Sequence, residues 1–246
     1  MQKIHKVPSH WYGKLDSPKQ NFFCEILTEQ IYSRIVNEGD MVVDVGANHG
    51  RHTLPLALLV GESGKVFAYE PNPELAEKLR SSFQTDNIVI KDCGLGQGSQ
   101  TLTLSVPINN DGHGSFNKHL EQPSGQGYNE YRVKVETLDN SFSSFQSRVS
   151  FIKIDVEGFE LEAIKGSEKV LREHRPILVI ESWSQAINDY MTSVGYQCSN
   201  FFGGHPLDGN IHNFLAFPRE AYIDFIGYND LGRIFIDFID AFEWQQ

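Results

Sequence analysis

From residue 41 onward the chain alternates short unbroken apolar runs with longer stretches of helical periodicity. Runs at 41–45 (MVVDV), 65–69 (KVFAY), 87–91 (NIVIK), 149–155 (VSFIKID) and 177–181 (ILVIE) have the length and β-branched content of buried strands. Helical stretches fall between most of them, at 51–60, 73–84, 159–173 and 184–194. Strands alternating with helices predict βαβ units, hence an α/β fold: a doubly wound, mostly parallel sheet with helices on both faces. Two further runs, 195–201 and 212–217, are candidates for late strands at an antiparallel edge.

One interruption breaks this rhythm. Segments 101–106 (TLTLSV) and 130–135 (EYRVKV) alternate with period two and bracket a Gly/Asn/Ser-rich stretch, 107–129, which reads as an inserted β-hairpin with a long loop. Upstream, Phe22, Phe23, Ile26, Leu27, Ile31 and Ile35 predict an amphipathic helix over 21–37. Residues 1–20 are polar and mildly basic, a surface arm or a flap over the site. The tail after Pro218 places Leu231, Ile234, Phe235, Phe238, Ile239 and Phe242 on one helical face. That face packs on the parent domain or joins a homodimer. The chain therefore divides into an arm and helix (1–40), one α/β domain (41–218) and a C-terminal amphipathic helical tail (219–246).

Composition adds few constraints. With 246 residues the core needs no disulfide or metal, and a formal charge of −11 disfavours nucleic acid or an anionic membrane as the main partner. Part of that acidity lies on the tail. The three cysteines, Cys24, Cys93 and Cys198, form no C-x-x-C pair, which suits a reducing compartment. No apolar run is long enough for a membrane span, and the first residues lack the apolar centre of a signal peptide. The expectation is a soluble, cytoplasmic protein.

The strongest chemical signal is MVVDVGANHGRHT. A strand ends at Asp44-Val45, a turn carries Gly46, Asn48 and Gly50, and a helix follows. Glycines let the backbone turn sharply and approach a ligand, and the helix start presents free N–H groups. The spacing D-x-G-x-N-x-G departs from the dinucleotide-binding G-x-G-x-x-G. An acid ahead of the first glycine suits a ligand bearing an ammonium group, such as the amino-acid end of S-adenosylmethionine. Glu70, ending the next strand before Pro71 and Asn72, lies about 20 residues beyond the turn, where an acid accepts hydrogen bonds from both ribose hydroxyls. Glu70 alone does not separate a nicotinamide cofactor from S-adenosylmethionine; with the turn, it favours the latter. Asp92 and Cys93, after the third strand, are placed by topology beside the base.

These segments, with VETLDN at 135–140 and FIKIDVEGFELEAIKG at 151–166, resemble the FkbM-type methyltransferases over residues 41–182. The resemblance implies a seven-stranded Rossmann-like sheet and S-adenosylmethionine-dependent methyl transfer to a hydroxyl oxygen, in a family acting mostly on sugars and secondary metabolites. One departure is Cys93-Gly94-Leu95-Gly96, where family members commonly read A-L-S-D.

Deprotonating an alcohol calls for a base or a metal ion near its oxygen. Asp155, at the end of the central strand, is the first candidate and also borders the cofactor site. Lys153 lies two residues earlier on the same strand face and needs a partner, for which Asp155 and Glu181 qualify. Glu157 is a further candidate, although acids at a helix start also serve its dipole, as Glu160 does. His113 and His205, in Gly-rich loops, are candidates for a base or a sugar contact. No cluster has zinc spacing, so no metal site is predicted; Asp155 with Glu181 could still hold a divalent cation through oxygens. Phe116, Tyr128, Phe201 and Phe202 either stack on a sugar or anchor loops. The expected partner is a small-molecule or glycan acceptor. The alternatives are a nucleotide-ribose 2′-O-methyltransferase and a catalytically silent S-adenosylmethionine-binding module.

Overall fold

Apolar strand residues divide between two helical layers, because successive side chains on a strand point to opposite faces. Val42, Val66, Phe151, Val179 and Leu215 form one core with the N-terminal helix, and Val43, Phe67, Ile152, Leu178 and Ile180 form the other. The computed structural model describes residues 17–117, 127–143, 147–207 and 213–221. In chain order the elements are α1 (Ser17–Ile35), β1 (Met41–Val45), α2 (Thr53–Val60), β2 (Lys65–Tyr69), α3 (Pro73–Ser82) and β3 (Ile88–Lys91). Then come β4 (Gly94–Leu95), β5 (Gln100–Pro107), β6 (Tyr128–Glu136), α4 (Leu138–Phe142), β7 (Val149–Ile154), α5 (Glu160–Lys165) and α6 (Glu168–His174). The last are β8 (Ile177–Glu181), α7 (Gln185–Ser193), β9 (Tyr196–Ser199) and β10 (Asn213–Pro218).

Seven strands form the main sheet in the order β3-β2-β1-β7-β8-β10-β9. All neighbours are parallel except β10, which runs antiparallel to β8 and β9. The expected α/β sheet and its antiparallel edge are both present. The inserted hairpin forms as β5 against β6, from Gln100↔Val135 to Pro107↔Tyr128. It gains a third, two-residue strand, β4, parallel to β6.

Helix starts follow local chemistry. The Asn72 side chain accepts the Glu74 N–H, and Pro73 occupies the first turn of α3. Thr137 and Ser184 cap α4 and α7 in the same way. The stretch expected as one helix over 159–173 is two, α5 and α6. Gly166 passes so close to β4 that a Cβ there would lie 1.9 Å from the Gly96 carbonyl oxygen. That approach, together with the Ser167 backbone, divides the helix.

Helix α1 is held by Phe23, Leu27 and Ile31, each essentially fully buried. At ~1.5–3 kcal/mol per such side chain, this fixes the helix as a wall of the domain. Among the described residues no helix is long and apolar enough to cross a membrane. The arm through residue 16 and the tail from 222, with its expected amphipathic helix and dimer contact, lie outside the described residues.

Candidate functional site

Strand β1 ends at Val45, and the chain turns away through Gly46 at φ +80°. A side chain could not be accommodated there, since a Cβ would lie 1.8 Å from the Asp155 carbonyl oxygen. The Gly46 and Ala47 N–H groups donate to the Tyr69 carbonyl at 2.9 and 3.0 Å. This ties the turn to the end of β2, where Glu70 begins. Glu70 is buried, and its two carboxylate oxygens accept the backbone N–H groups of Asn48 and Asn72, each at 2.8 Å. Burial pushes its pKa up to about 7, against the opposing pull of those two N–H bonds. Asn48 adopts φ +52° to make its contact.

Asp44 pairs in register with Lys153 of β7, so both side chains share one face of the sheet, and its Oδ2 accepts the Thr53 hydroxyl at 2.7 Å. Lys153 is buried, and its Nζ donates to Asp155 Oδ2 at 2.9 Å. Burial alone would lower the lysine pKa, but the charges of Asp155, Asp44 and Glu25 raise it above its ordinary value. Burial raises Asp155 as well, yet the Lys153 charge and a side-chain hydrogen bond with Glu181 bring it down to about 2. Glu181 is displaced upward by burial and by its hydrogen bond to Asp155. The two carboxyl groups therefore titrate as a unit, with Lys153 favouring ionisation on the Asp155 side.

A second acid–base pair faces this one from α1. Glu25 hydrogen-bonds the buried His52 imidazole at the start of α2, and Arg51 lies 3.5 Å from the same carboxylate. Burial raises the Glu25 pKa, but the hydrogen bond and charge of His52, with the Lys153 charge, outweigh it and leave it lowered.

The loop of the inserted hairpin straps across this edge. On the β1–β2 side, the Asn48 side chain donates to the Gly112 carbonyl at 3.2 Å and the Asn72 side chain to the Asp111 carbonyl at 3.1 Å. The Asp111 carboxylate takes His49 at 3.0 Å and Lys78 at 2.9 Å. On the β7 side, the Ser115 hydroxyl donates to the Glu157 carbonyl at 3.0 Å and Asn117 to the Gly158 carbonyl at 2.9 Å. His113 Nε2 stands 4.0 Å from the Glu157 carboxylate. Glu157 and Ser182, like Asn48, hold positive φ values of 48° and 61°. Left-handed backbone at three non-glycine residues on one sheet edge is strain gathered at a single place.

Beneath the strap lies a cavity of about 220 Å³. Gly46, Asn48, Glu70, Pro71 and Cys93 line one part of it, and Asp155, Glu157, Glu181 and His113 another. Lys153, Asn72, Gly50 and Asp44 are not among the lining residues. Asp92 faces outward in an ion pair with Arg80 at 3.1 Å. Burial pushes the Cys93 thiol up to about 12, so it remains protonated. Of the four aromatic candidates, Phe116 lines the cavity, whereas Phe201 and Phe202 are buried in the core under α1 and Tyr128 is exposed. His205 packs edge-on against Trp183 at 5.5 Å and does not line the cavity. Sequence reasoning missed Asn21, Cys24 and Glu25 of α1 and Asn213 of β10, all of which line the cavity. Their places depend on long-range packing, for which no local pattern gives a signal.

A ligand with a ribose and an adjoining charged chain fits these residues. Glu70 can accept hydroxyl hydrogen bonds beside its two N–H donors. Asn48 Oδ1, of a lining residue, is buried without a hydrogen-bond partner among the described residues. The mostly parallel sheet, the glycine turn and the buried acid at the end of β2 are arranged as in the Rossmann-like methyltransferase fold. Residues 44–198 match the Methyltransferase FkbM domain, and the chain belongs to that family. It is 28% identical over 146 residues to "Hexuronic acid methyltransferase AglP" of Haloferax volcanii, covering 58% of this chain and 56% of that protein. It is 26% identical over 195 residues to "Methyltransferase sdnD" of Sordaria araneosa, covering 67% and 74%. A crystal structure of methyltransferase FkbM from Methylobacillus flagellatus KT superposes with a TM-score of 0.48 at 19% identity, covering 82% of this chain and 55% of that one. The chain thus spans little more than half the length of the first and third of these proteins.

Proposed function

We propose that this chain transfers the methyl group of S-adenosylmethionine to a hydroxyl oxygen of a saccharide or another polyhydroxylated small molecule. The observation that carries the reading is one cavity shared by the ribose acid Glu70 and the Asp155–Glu181 carboxyl pair. The similarity to a hexuronic acid methyltransferase supports a sugar acceptor.

Bound S-adenosylmethionine supplies a sulfonium methyl already activated for in-line displacement, so the protein's task is alignment and proton removal. Glu70 and the Gly46 turn hold the nucleoside end. The Asp155 carboxylate, kept ionised by Lys153, accepts a hydrogen bond from the acceptor hydroxyl and orients its lone pair toward the methyl. When the methyl carbon is transferred and its bond to sulfur breaks, the Asp155 carboxylate takes up the hydroxyl proton and becomes neutral; before that step Lys153 and the Glu181 hydrogen bond hold it ionised and in position. Asn21 and Asn213 offer amide groups for the remaining hydroxyls, and the strap excludes water.

The test has two parts. Calorimetry should detect S-adenosylhomocysteine binding, and no binding at millimolar ligand overturns the reading. A screen of sugars and glycolipids for S-adenosylhomocysteine release should then yield an acceptor. With that acceptor, Asp155→Ala should abolish turnover and leave cofactor affinity within a few fold; retained turnover removes Asp155 from the mechanism.

A further inference from the structure

The cavity is lined by six carboxyl groups, those of Glu25, Glu70, Asp111, Asp155, Glu157 and Glu181, and among the described residues by no lysine or arginine. The charge nearest to its floor, Lys153, is 3% exposed and hydrogen-bonded to Asp155. It offers an incoming anion nothing. Several of the six are already engaged: Glu70 by two backbone N–H groups, Asp111 by Lys78 and His49, and Asp155 and Glu181 by each other. Glu25 is engaged by His52 and Arg51. Glu157 remains, with His113 4.0 Å away.

We propose that the acceptor of this chain carries no carboxylate or phosphate, and that Glu157 is the residue that excludes one. The inference rests on the saccharide reading above and narrows it. A carboxylate or phosphate is recognised by guanidinium, ammonium or several backbone N–H donors, and here it would meet the acceptor-only side chain of Glu157 instead. Like charges brought together in a partly desolvated site discriminate strongly between ligands that otherwise match. A neutral sugar loses nothing there, and the ammonium of an amino sugar gains a partner. The acceptor class thereby departs from the hexuronic acid named for the Haloferax volcanii relative.

The experiment uses the full chain and three matched series of methyl glycosides: hexoses, hexosamines and hexuronates. S-adenosylhomocysteine release is followed with S-adenosylmethionine present, and binding is followed by ligand-observed NMR on protein saturated with S-adenosylhomocysteine. The expected result is that hexoses or hexosamines outperform the matching hexuronates by at least ~10-fold, the effect of one unscreened like-charge contact. Glu157→Gln should narrow that ratio several-fold, and Glu157→Ala should do so independently, so a folding defect in one variant leaves the other to decide. Hexuronates equal to or better than the neutral series overturn the inference and leave the saccharide reading standing. Silence from all three series, in both measurements, overturns the saccharide reading itself and the inference with it.

Discussion

Lys153→Met tests the ion pair on which the proposed site depends. Methionine fills nearly the lysine volume, so the change removes a charge without opening a cavity. The Nζ–Oδ2 separation is 2.9 Å, and at an effective dielectric of ~20 this is a Coulomb attraction of roughly 6 kcal/mol. Withdrawing both ions from water offsets much of it, and breaking one partner of a buried pair costs ~3–5 kcal/mol in practice. Asp155 keeps its hydrogen bond with Glu181 and a side chain 29% exposed at the cavity, which places the loss near the lower figure, ~3 kcal/mol. Urea unfolding at pH 7, with wild type and variant compared at equal m-value, measures it. The pH dependence supplies a sharper check. The Asp155 pKa is lowered to about 2 in the fold, against ~3.9 in the unfolded chain. Its stabilisation is therefore fully present above pH ~4 and is lost as pH falls through 2. The variant's deficit should hold constant from pH 7 to 5 and shrink by pH 3. A loss under 1 kcal/mol at pH 7, or a deficit unchanged between pH 5 and 3, refutes this account of the pair.

Gly46→Ala should be far more damaging than its size suggests. The residue sits at φ +80°, and its Cβ would lie 1.8 Å from a backbone oxygen and 2.9 Å from the attached carbon of Asp155. Neither atom can rotate aside, so the ends of β1 and β7 must part; a stability loss of at least ~3 kcal/mol and undetectable S-adenosylhomocysteine binding are expected. Unfolding within ~1 kcal/mol of wild type removes the close approach as the reason for this glycine. At Glu70, the pKa is raised to about 7 in the fold, so its contribution is present below ~4 and fades as pH rises through 7. The cofactor-free protein should lose ~3 kcal/mol from this group between pH 5 and 8, and Glu70→Gln should flatten that slope in thermal melts. Parallel pH profiles for the two proteins count against a buried, strained carboxylate.

What was legible in the sequence is what neighbouring residues determine. Runs such as MVVDV and ILVIE can only be buried strands, and the Gly46 turn, the Asn72 cap and Glu70 follow from chemistry within a few residues of each strand end. The errors arise where the partner is distant. The helix over 159–173 has unbroken apolar periodicity, and nothing in it announces that Gly166 must lie against Gly96, just after β4. For Asp44, local sequence suggests a ligand for an ammonium group, and strand register adds a partner that the local pattern does not show: opposite it on β7 stands Lys153, whose charge it supports. Glu25 shows the same limit in the other direction. Among the apolar residues of α1 it looks like a solvent-facing acid, yet that helix is pinned across the sheet by contacts such as Asn213 to Thr28, 185 residues apart. Once α1 is fixed there, Glu25 lies within reach of the Lys153 and Asp155 charges and forms one side of the cavity. The cofactor half of the site is built from local turns and is therefore readable in sequence. The acceptor half is assembled from α1, the hairpin strap and β10, and its chemistry emerges only when the fold brings them together.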